Sequence, residues 1–578
     1  MTERTSVHEA APRANVQVTL PDGRVFEAPL STPLGDILRA AYLDAGDPPV
    51  AAVVDGELRE LGCPIVRDVT VRPVLLSDSD GMRIYSRSLS FLLIAVVQEL
   101  FPDVDVRIDY SVPHGGYFCR VEERDPFTPD ELAQIKGRMM TIVREDRPIV
   151  RRRLSFDEVR ALLRARGEEA KAEQLVEREG DHLHLYMLDD VSDYFYGYMV
   201  PSTGLLKTFS LEPFPRGFIL RFPRREDPRK LLPSQKFTAL REVFDEYGDW
   251  LSVLGMRDVS SLNEAIRTGR IEQVILVFEA LHEKKVAEIA AEIAERHRAG
   301  TRLAFIAGPS SSGKTTFSKR LAIQLLASGI HPYPLAMDDY FLPREVLFQR
   351  FGEKPDFDSI SAFDIERFRD DLGRLMRGQP VELPHYDFKT GKREAGPTVQ
   401  IHADQILLVE GIHGLNPQLT DDPSLSKVYR VFVSALTQLN LDIHNRVSTT
   451  DTRLVRRLVR DATYRGYSAD VTLSLWENVR RGEKENIFPY QEQADVMFNS
   501  ALGYELAVLK PLVEPLLLQV RSRELRIEAQ RLLALLRWFD PYQTPNIPGN
   551  SILREFIGGS ILREFSLAAP IGQGTQCP

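Results

Sequence analysis

Gly308, Pro309, Ser310, Ser311, Ser312, Gly313, Lys314 and Thr315 spell GxxxxGKT between the apolar run LAFIA and the helix-forming TFSKRLAIQLLA. In such a strand-loop-helix, glycines let successive backbone N–H groups turn toward phosphate oxygens, and the helix N-terminus adds a favourable dipole. Lys314 is expected to reach the β- and γ-phosphates of a nucleotide and Thr315 to offer its hydroxyl to Mg²⁺; Thr316 extends the nucleotide-binding run. The pattern predicts a phosphate-binding loop and the use of ATP or GTP.

Three further segments carry candidate chemistry. QILLVEG delivers Glu410 to the end of a buried strand, where a carboxylate can hold Mg²⁺ or its water. PYPLAMDDYF places Asp338 and Asp339 just past another strand, positioned for one of them to accept a hydroxyl proton; taken alone, a DD pair is more often a solvated turn or helix cap. DTRLVRRLVRDATYRGY gathers Arg453, Arg456, Arg457, Arg460 and Arg465 on one helix and the loop after it, a set that can clamp phosphates or form a salt-bridged surface.

These segments need a parallel sheet flanked by helices, and they take up only part of 578 residues. A chain of this length predicts two to four domains. VQVTL and RVFEA, separated by Pro21, Asp22 and Gly23, predict a hairpin; TPLGDILRAAYLDAG predicts a helix, and VAAVVDG and VTVRPVLL predict strands, a small β-grasp-like domain over 14–77. Residues 80–235 open with the apolar helix SLSFLLIAVVQELFP and contain PFTPDELAQI, where Thr128, Pro129 and Glu131 predict a capping box. A helical connector at 236–300 presents Val286, Ile289 and Ile293 on one face. The site segments fall in 301–520, and 521–578 reads as a helix and a tail carrying SILREF twice, a docking segment or a mobile or surface-packed tail.

The formal charge of −10 argues against a broadly basic nucleic-acid surface. Cys63, Cys119 and Cys577 are too few and too far apart for a disulfide framework or a zinc knuckle. The leader lacks a signal-peptide core and no apolar run approaches a membrane span, so a cytoplasmic location without membrane association is expected.

Residues 14–77 resemble the TGS domain that begins threonyl-tRNA synthetases. AVVQELFPDVDV, GGYFCR and FTPDELAQIKGRMMTIVREDRPIVRR are similar to the second additional domain of threonyl- and alanyl-tRNA synthetases, which carries an editing site. At its HxxxH zinc signature this chain has Phe91 and Ala95, and no CxxxH follows in VSDYFYGYMVPSTG. The resemblance therefore implies the fold without the zinc ligands, and leaves the N-terminal half as the one route to an RNA partner.

GPSSSGKTT, MDDYF, DFDSISAFD, LPHYDFKTGKR, ILLVEGIHGL and DTRLVRRLVRDATYRG occur in the order found in the phosphoribulokinase/uridine kinase family. That resemblance implies an α/β P-loop kinase domain, preceded by the β-grasp TGS-like and the α+β synthetase-editing-like domains. It implies ATP and Mg²⁺, with Asp338 as base, Lys314 and Arg457 on the transferred phosphate, Arg460 on ATP, and Thr315 and Glu410 at the metal. Asp358, Tyr386, Phe388 and Arg457 fall at acceptor-binding positions. The family's base-reading histidine, a sugar-binding arginine and a glutamine are replaced by Gly391, Tyr467 and Leu475.

The expected activity is transfer of the ATP γ-phosphoryl to a primary hydroxyl of a small, uridine- or cytidine-like acceptor. Pantothenate or a sugar phosphate as acceptor, a nucleotide- or tRNA-sensing role, and homo-oligomerisation stay open at this stage.

Overall fold

The computed structural model describes residues 13–42, 47–165, 172, 182–352, 359–387, 390–420, 427–543, 546–563 and 565. They fall into two compact units. One comprises Met1–Gln235, Leu441–Arg446 and Ser522–Arg531; the other comprises Lys236–Asn440, Val447–Arg521 and Leu532–Pro578.

In the first unit, Asn15–Thr19 pairs antiparallel with Val25–Pro29, as the alternation of VQVTL and RVFEA predicts. Val69–Leu75 adds in parallel to Asn15–Thr19, and Pro49–Val54 and Glu57–Glu60 complete a five-stranded sheet. Helix Leu34–Ala41 buries Leu34, Ile37 and Leu38 against Val18, Ala52 and Val71 of that sheet. The edge strand Glu57–Glu60 has the sequence ELRE, whose three charges hide it from apolar periodicity while suiting an exposed edge.

Next in the chain, helix Ser79–Leu100 is apolar all round between Phe91 and Val97 and is buried there. It packs with a four-stranded antiparallel sheet of Ser210–Phe214, Gly217–Arg221, Tyr117–Val121 and Val106–Ser111. Helix Pro129–Glu145 starts with the capping box read in the sequence: the Thr128 hydroxyl accepts from the Glu131 N–H at 3.3 Å, and the Glu131 carboxylate accepts from the Thr128 N–H at 2.7 Å. Phe91 and Ala95, at the HxxxH positions, are both buried, and the Phe91 ring meets Phe195 at 5.6 Å. His444, from the Leu441–Arg446 stretch, stacks on Phe195 and pairs with Asp193. At the first of the replaced histidine positions an aromatic pair, Phe91 and Phe195, thus stands in the buried interior.

The second unit is built on a five-stranded parallel sheet in the order His331–Ala336, Gln405–Glu410, Leu303–Ala307, Val428–Ser434, Val496–Asn499. Its central strands, LAFIA and QILLVE, are almost continuously apolar because helices cover both faces of such a sheet. Helix Lys314–Ala327 follows the central strand, and Ile271–Arg298 contributes Val286, Ile289 and Ile293 to the buried interior of the unit. A hairpin of Val381–Asp387 and Lys392–Val399 stands beside the sheet. Among the described residues no helix is long and apolar enough to cross a membrane.

Candidate active site

The carboxyl ends of three adjacent parallel strands place the sequence-derived residues together. Leu303–Ala307 runs into the phosphate-binding loop, Gln405–Glu410 ends on Glu410, and His331–Ala336 runs into the turn that holds Asp338.

Two glycines make the loop possible. Gly308 has φ of 150° and passes so close to the neighbouring strand that a Cβ would sit 2.0 Å from the Val433 carbonyl oxygen. Gly313 has φ of 85° and leads directly into helix Lys314–Ala327. Lys314 is buried and donates to the Pro309 carbonyl at 3.1 Å, which folds its side chain back along the loop. The buried hydroxyls of Ser311 and Ser312 have no hydrogen-bond partner among the described residues.

Thr315 donates from Oγ1 to Glu410 at 3.3 Å. Desolvation by the cleft walls, opposed by Lys314 and reinforced by Asp338 and Glu555, pushes the Glu410 carboxyl up to about 7. Asp338 opens onto the cleft and is likewise raised, first by desolvation, with Lys314, Arg465 and Arg460 pulling the other way. Its neighbour Asp339 is committed elsewhere: Oδ1 accepts from the Tyr386 N–H at 3.1 Å and lies 3.2 Å from His385 Nδ1, fastening the hairpin. Of the DD pair, Asp338 is the more exposed member, while Asp339 lines a hollow beside the hairpin together with His385.

The arginine helix divides into two sets, where the sequence offered one. Arg453 and Arg456 are 1% and 0% exposed and form a floor under the loop. Arg453 pairs with buried Glu483 and donates to the Ser310 carbonyl at 3.0 Å; Arg456 pairs with Glu505 at 2.5 Å and donates to the Ser500 carbonyl at 2.8 Å. Burying a guanidinium requires such a carboxylate partner, and no spacing rule revealed Glu483 or Glu505. Arg457 reaches the loop itself, donating to Ser310 Oγ at 3.0 Å. Arg457, Arg460 and Arg465 converge on Asp461, at 3.3, 2.8 and 3.6 Å. Two of these charges, on Arg460 and Arg465, also act on Asp338.

On the acceptor side, Tyr386 is buried among Phe341, Leu342, Leu347 and Ala362. Gly391 sits in the hairpin turn with φ of 71°, and a Cβ there would come within 2.7 Å of Arg344. Tyr467 and Leu475 are 41% and 39% exposed. Asp358 and Phe388 lie outside the described residues. A residue the motif reading passed over is His413, from the same ILLVEGIHGL segment. It is 1% exposed, both ring nitrogens lack a partner among the described residues, and burial with nearby Lys314 pushes it down to about 4.

This parallel sheet, its loop and the acidic and basic groups around it define a P-loop kinase fold in the C-terminal unit. Residues 304–504 match the model of the Phosphoribulokinase / Uridine kinase family, and the chain carries a domain of that family there. The N-terminal half is similar to threonine--tRNA ligases: 34% identity over 198 residues with that of Burkholderia lata, covering 34% of this chain and 31% of the relative. The match with the Cupriavidus pinatubonensis ligase is also 34%, over 197 residues, with the same shares. The chain thus spans about a third of the length of these relatives. Among solved structures, a possible uridine kinase from Bacillus stearothermophilus aligns at 19% identity and TM-score 0.26, covering 37% of this chain and 100% of that one. A D-glycerate 3-kinase from Cryptococcus neoformans aligns at 17% and TM-score 0.22, covering 47% and 87%.

Proposed function

We propose that the C-terminal unit transfers the γ-phosphoryl group of ATP to a hydroxyl of a small acceptor, with a uridine- or cytidine-like nucleoside as the acceptor class. The observation that carries this reading is the convergence at one sheet edge of Lys314, the Thr315–Glu410 contact at 3.3 Å and the cleft-facing Asp338. The glycine-turned loop and the Ser311 and Ser312 hydroxyls, which have no partner among the described residues, suit an anionic polyphosphate.

Lys314 turns from the Pro309 carbonyl toward the β- and γ-phosphates and offsets charge on the group in transit. Thr315 and Glu410 are the residues that would hold Mg²⁺, which when bound neutralises phosphate charge. Asp338 accepts the proton of the acceptor hydroxyl, a contribution of about 10² to 10⁴ in rate for a positioned general base. Arg457 moves from Ser310 Oγ to phosphate oxygens, and Arg460 covers the nucleotide with it. The family resemblance assigns acceptor binding to Asp358, Tyr386 and Phe388.

A panel of hydroxyl acceptors incubated with γ-labelled ATP tests the proposal. Labelled uridine or cytidine monophosphate is the expected product. Label on another acceptor but on neither nucleoside would remove the nucleoside assignment, and label on no acceptor would remove the phosphotransferase reading.

A further inference from the structure

The first SILREF copy lies against the phosphate-binding loop, with Ser551, Ile552, Leu553 and Phe556 all 0% exposed. Glu555 Oε2 accepts from the Thr316 N–H at 3.1 Å and from Thr316 Oγ1 at 2.8 Å. That N–H belongs to the first turn of helix Lys314–Ala327, where backbone donors and the helix dipole favour an anion. Ile552 Cγ2 is 2.5 Å from where a Cβ on Gly313 would stand, and Ser500 Cβ is 3.8 Å from the same point, so the segment fills the space beside the glycine turn. The Phe556 ring lies 5.1 Å from the Arg456 guanidinium carbon, the contact an aromatic base makes with a cation. Past the first copy, Lys319 Nζ donates to the Leu562 carbonyl at 2.6 Å and the Arg563 carbonyl at 3.2 Å.

One segment therefore sets an anion on a backbone donor of this loop, the chemistry by which a nucleotide phosphate would be held, while its Phe556 ring packs on Arg456 in the buried floor. We infer that residues 551–556 are a built-in nucleotide mimic that competes with ATP for the loop and must withdraw before the nucleotide is seated. The inference rests on the reading of this loop as the ATP site. A phosphate cannot take the Thr316 N–H while the Glu555 carboxylate accepts from it, and the two negative charges repel. The buried apolar residues anchor the segment, and Glu555 makes it a competitor. Occupancy of the loop by the segment reduces apparent nucleotide affinity to the intrinsic affinity multiplied by the fraction of chains with the segment withdrawn.

The test uses the full-length protein and its Glu555→Ala and Glu555→Gln variants, which keep the apolar anchors. Equilibrium binding of a fluorescent ATP analogue with Mg²⁺ is measured beside phosphoryl transfer and thermal melting. Glu555→Ala is expected to bind at least ~10-fold more tightly than the parent. Glu555→Gln, isosteric but uncharged, should move the same way by less and serves if the alanine variant fails to fold. ATP should also speed tryptic cleavage at Arg554 in the parent chain. Unchanged or weaker binding in folded variants, with transfer intact in the parent, overturns the mimic and leaves the kinase reading standing. No nucleotide binding by any of the three chains overturns both.

Discussion

The carboxylate of Glu483 accepts the Ser310 N–H at 3.1 Å, while Arg453, the guanidinium it pairs with, donates to the Ser310 carbonyl at 3.0 Å. Both faces of one loop residue are thus gripped by a single ion pair whose members are each 1% exposed. Glu483→Ala would leave Arg453 buried and uncompensated, a loss of about 3–5 kcal/mol. Chemical denaturation should show that loss, and nucleotide binding should weaken with it because the loop is no longer held. Unchanged stability would mean that the pair does not shape the loop.

Gly308→Ala should be far more damaging than Gly329→Ala. A Cβ on Gly308 would press to 2.0 Å on the Val433 carbonyl, whereas one on Gly329, φ of 79°, meets nothing within 4 Å. The second change is expected to cost about 1 kcal/mol of backbone strain, and the first to remove nucleotide binding altogether. Melting curves and ATP-analogue titrations on the two variants separate clash from strain.

Thr315→Ala and Glu410→Gln each remove one side of the 3.3 Å contact assigned to Mg²⁺. Either should raise the Mg²⁺ concentration for half-maximal transfer by about 10-fold or more, with a smaller effect on acceptor KM. Wild-type Mg²⁺ dependence in both variants would exclude the pair from metal binding.

Two buried histidines set an acid limit on the C-terminal unit. Burial pushes His282 down to about 3 and His413 to about 4, with Arg320 and Lys314 respectively adding to the effect. Since both folded values lie below the unfolded one, the unfolded chain takes up more protons than the native state as pH falls below about 6.5. The stability of the unit is therefore full above that pH and declines toward pH 4, by at most on the order of 3 kcal/mol per histidine. His282→Gln and His413→Gln should flatten this decline between pH 7 and 5 in denaturation experiments. Parallel slopes for variant and parent would contradict it.

What was legible in the sequence was contiguous. The GPSSSGKT loop needs only a strand before it and a helix after it, so eight adjacent letters fixed its geometry. Thr128, Pro129 and Glu131 announced a helix start for the same reason. Glu483 and Glu555 escaped because their partners are set by topology. Glu483 meets Ser310 across 173 residues of chain and Glu555 meets Thr316 across 239. The arginine helix illustrates the limit most plainly. Its spacing put Arg453, Arg456, Arg457 and Arg460 on one element and Asp461 within one helical turn of Arg457, but only the packed structure shows that Arg453 and Arg456 form a floor through Glu483 and Glu505. The replaced zinc positions, Phe91 and Ala95, were visible as letters; that Phe195 packs on Phe91 and His444 stacks on Phe195 was not.

The most direct measurement is transfer of labelled phosphate from γ-labelled ATP to the best acceptor by the parent chain and by Asp338→Asn, with ATP-analogue binding measured on the same preparations. If Asp338 is the base, the asparagine variant retains nucleotide affinity while its turnover falls by about 10² to 10⁴. Turnover within a fewfold of the parent, with nucleotide still bound, would contradict the assignment on which the account turns.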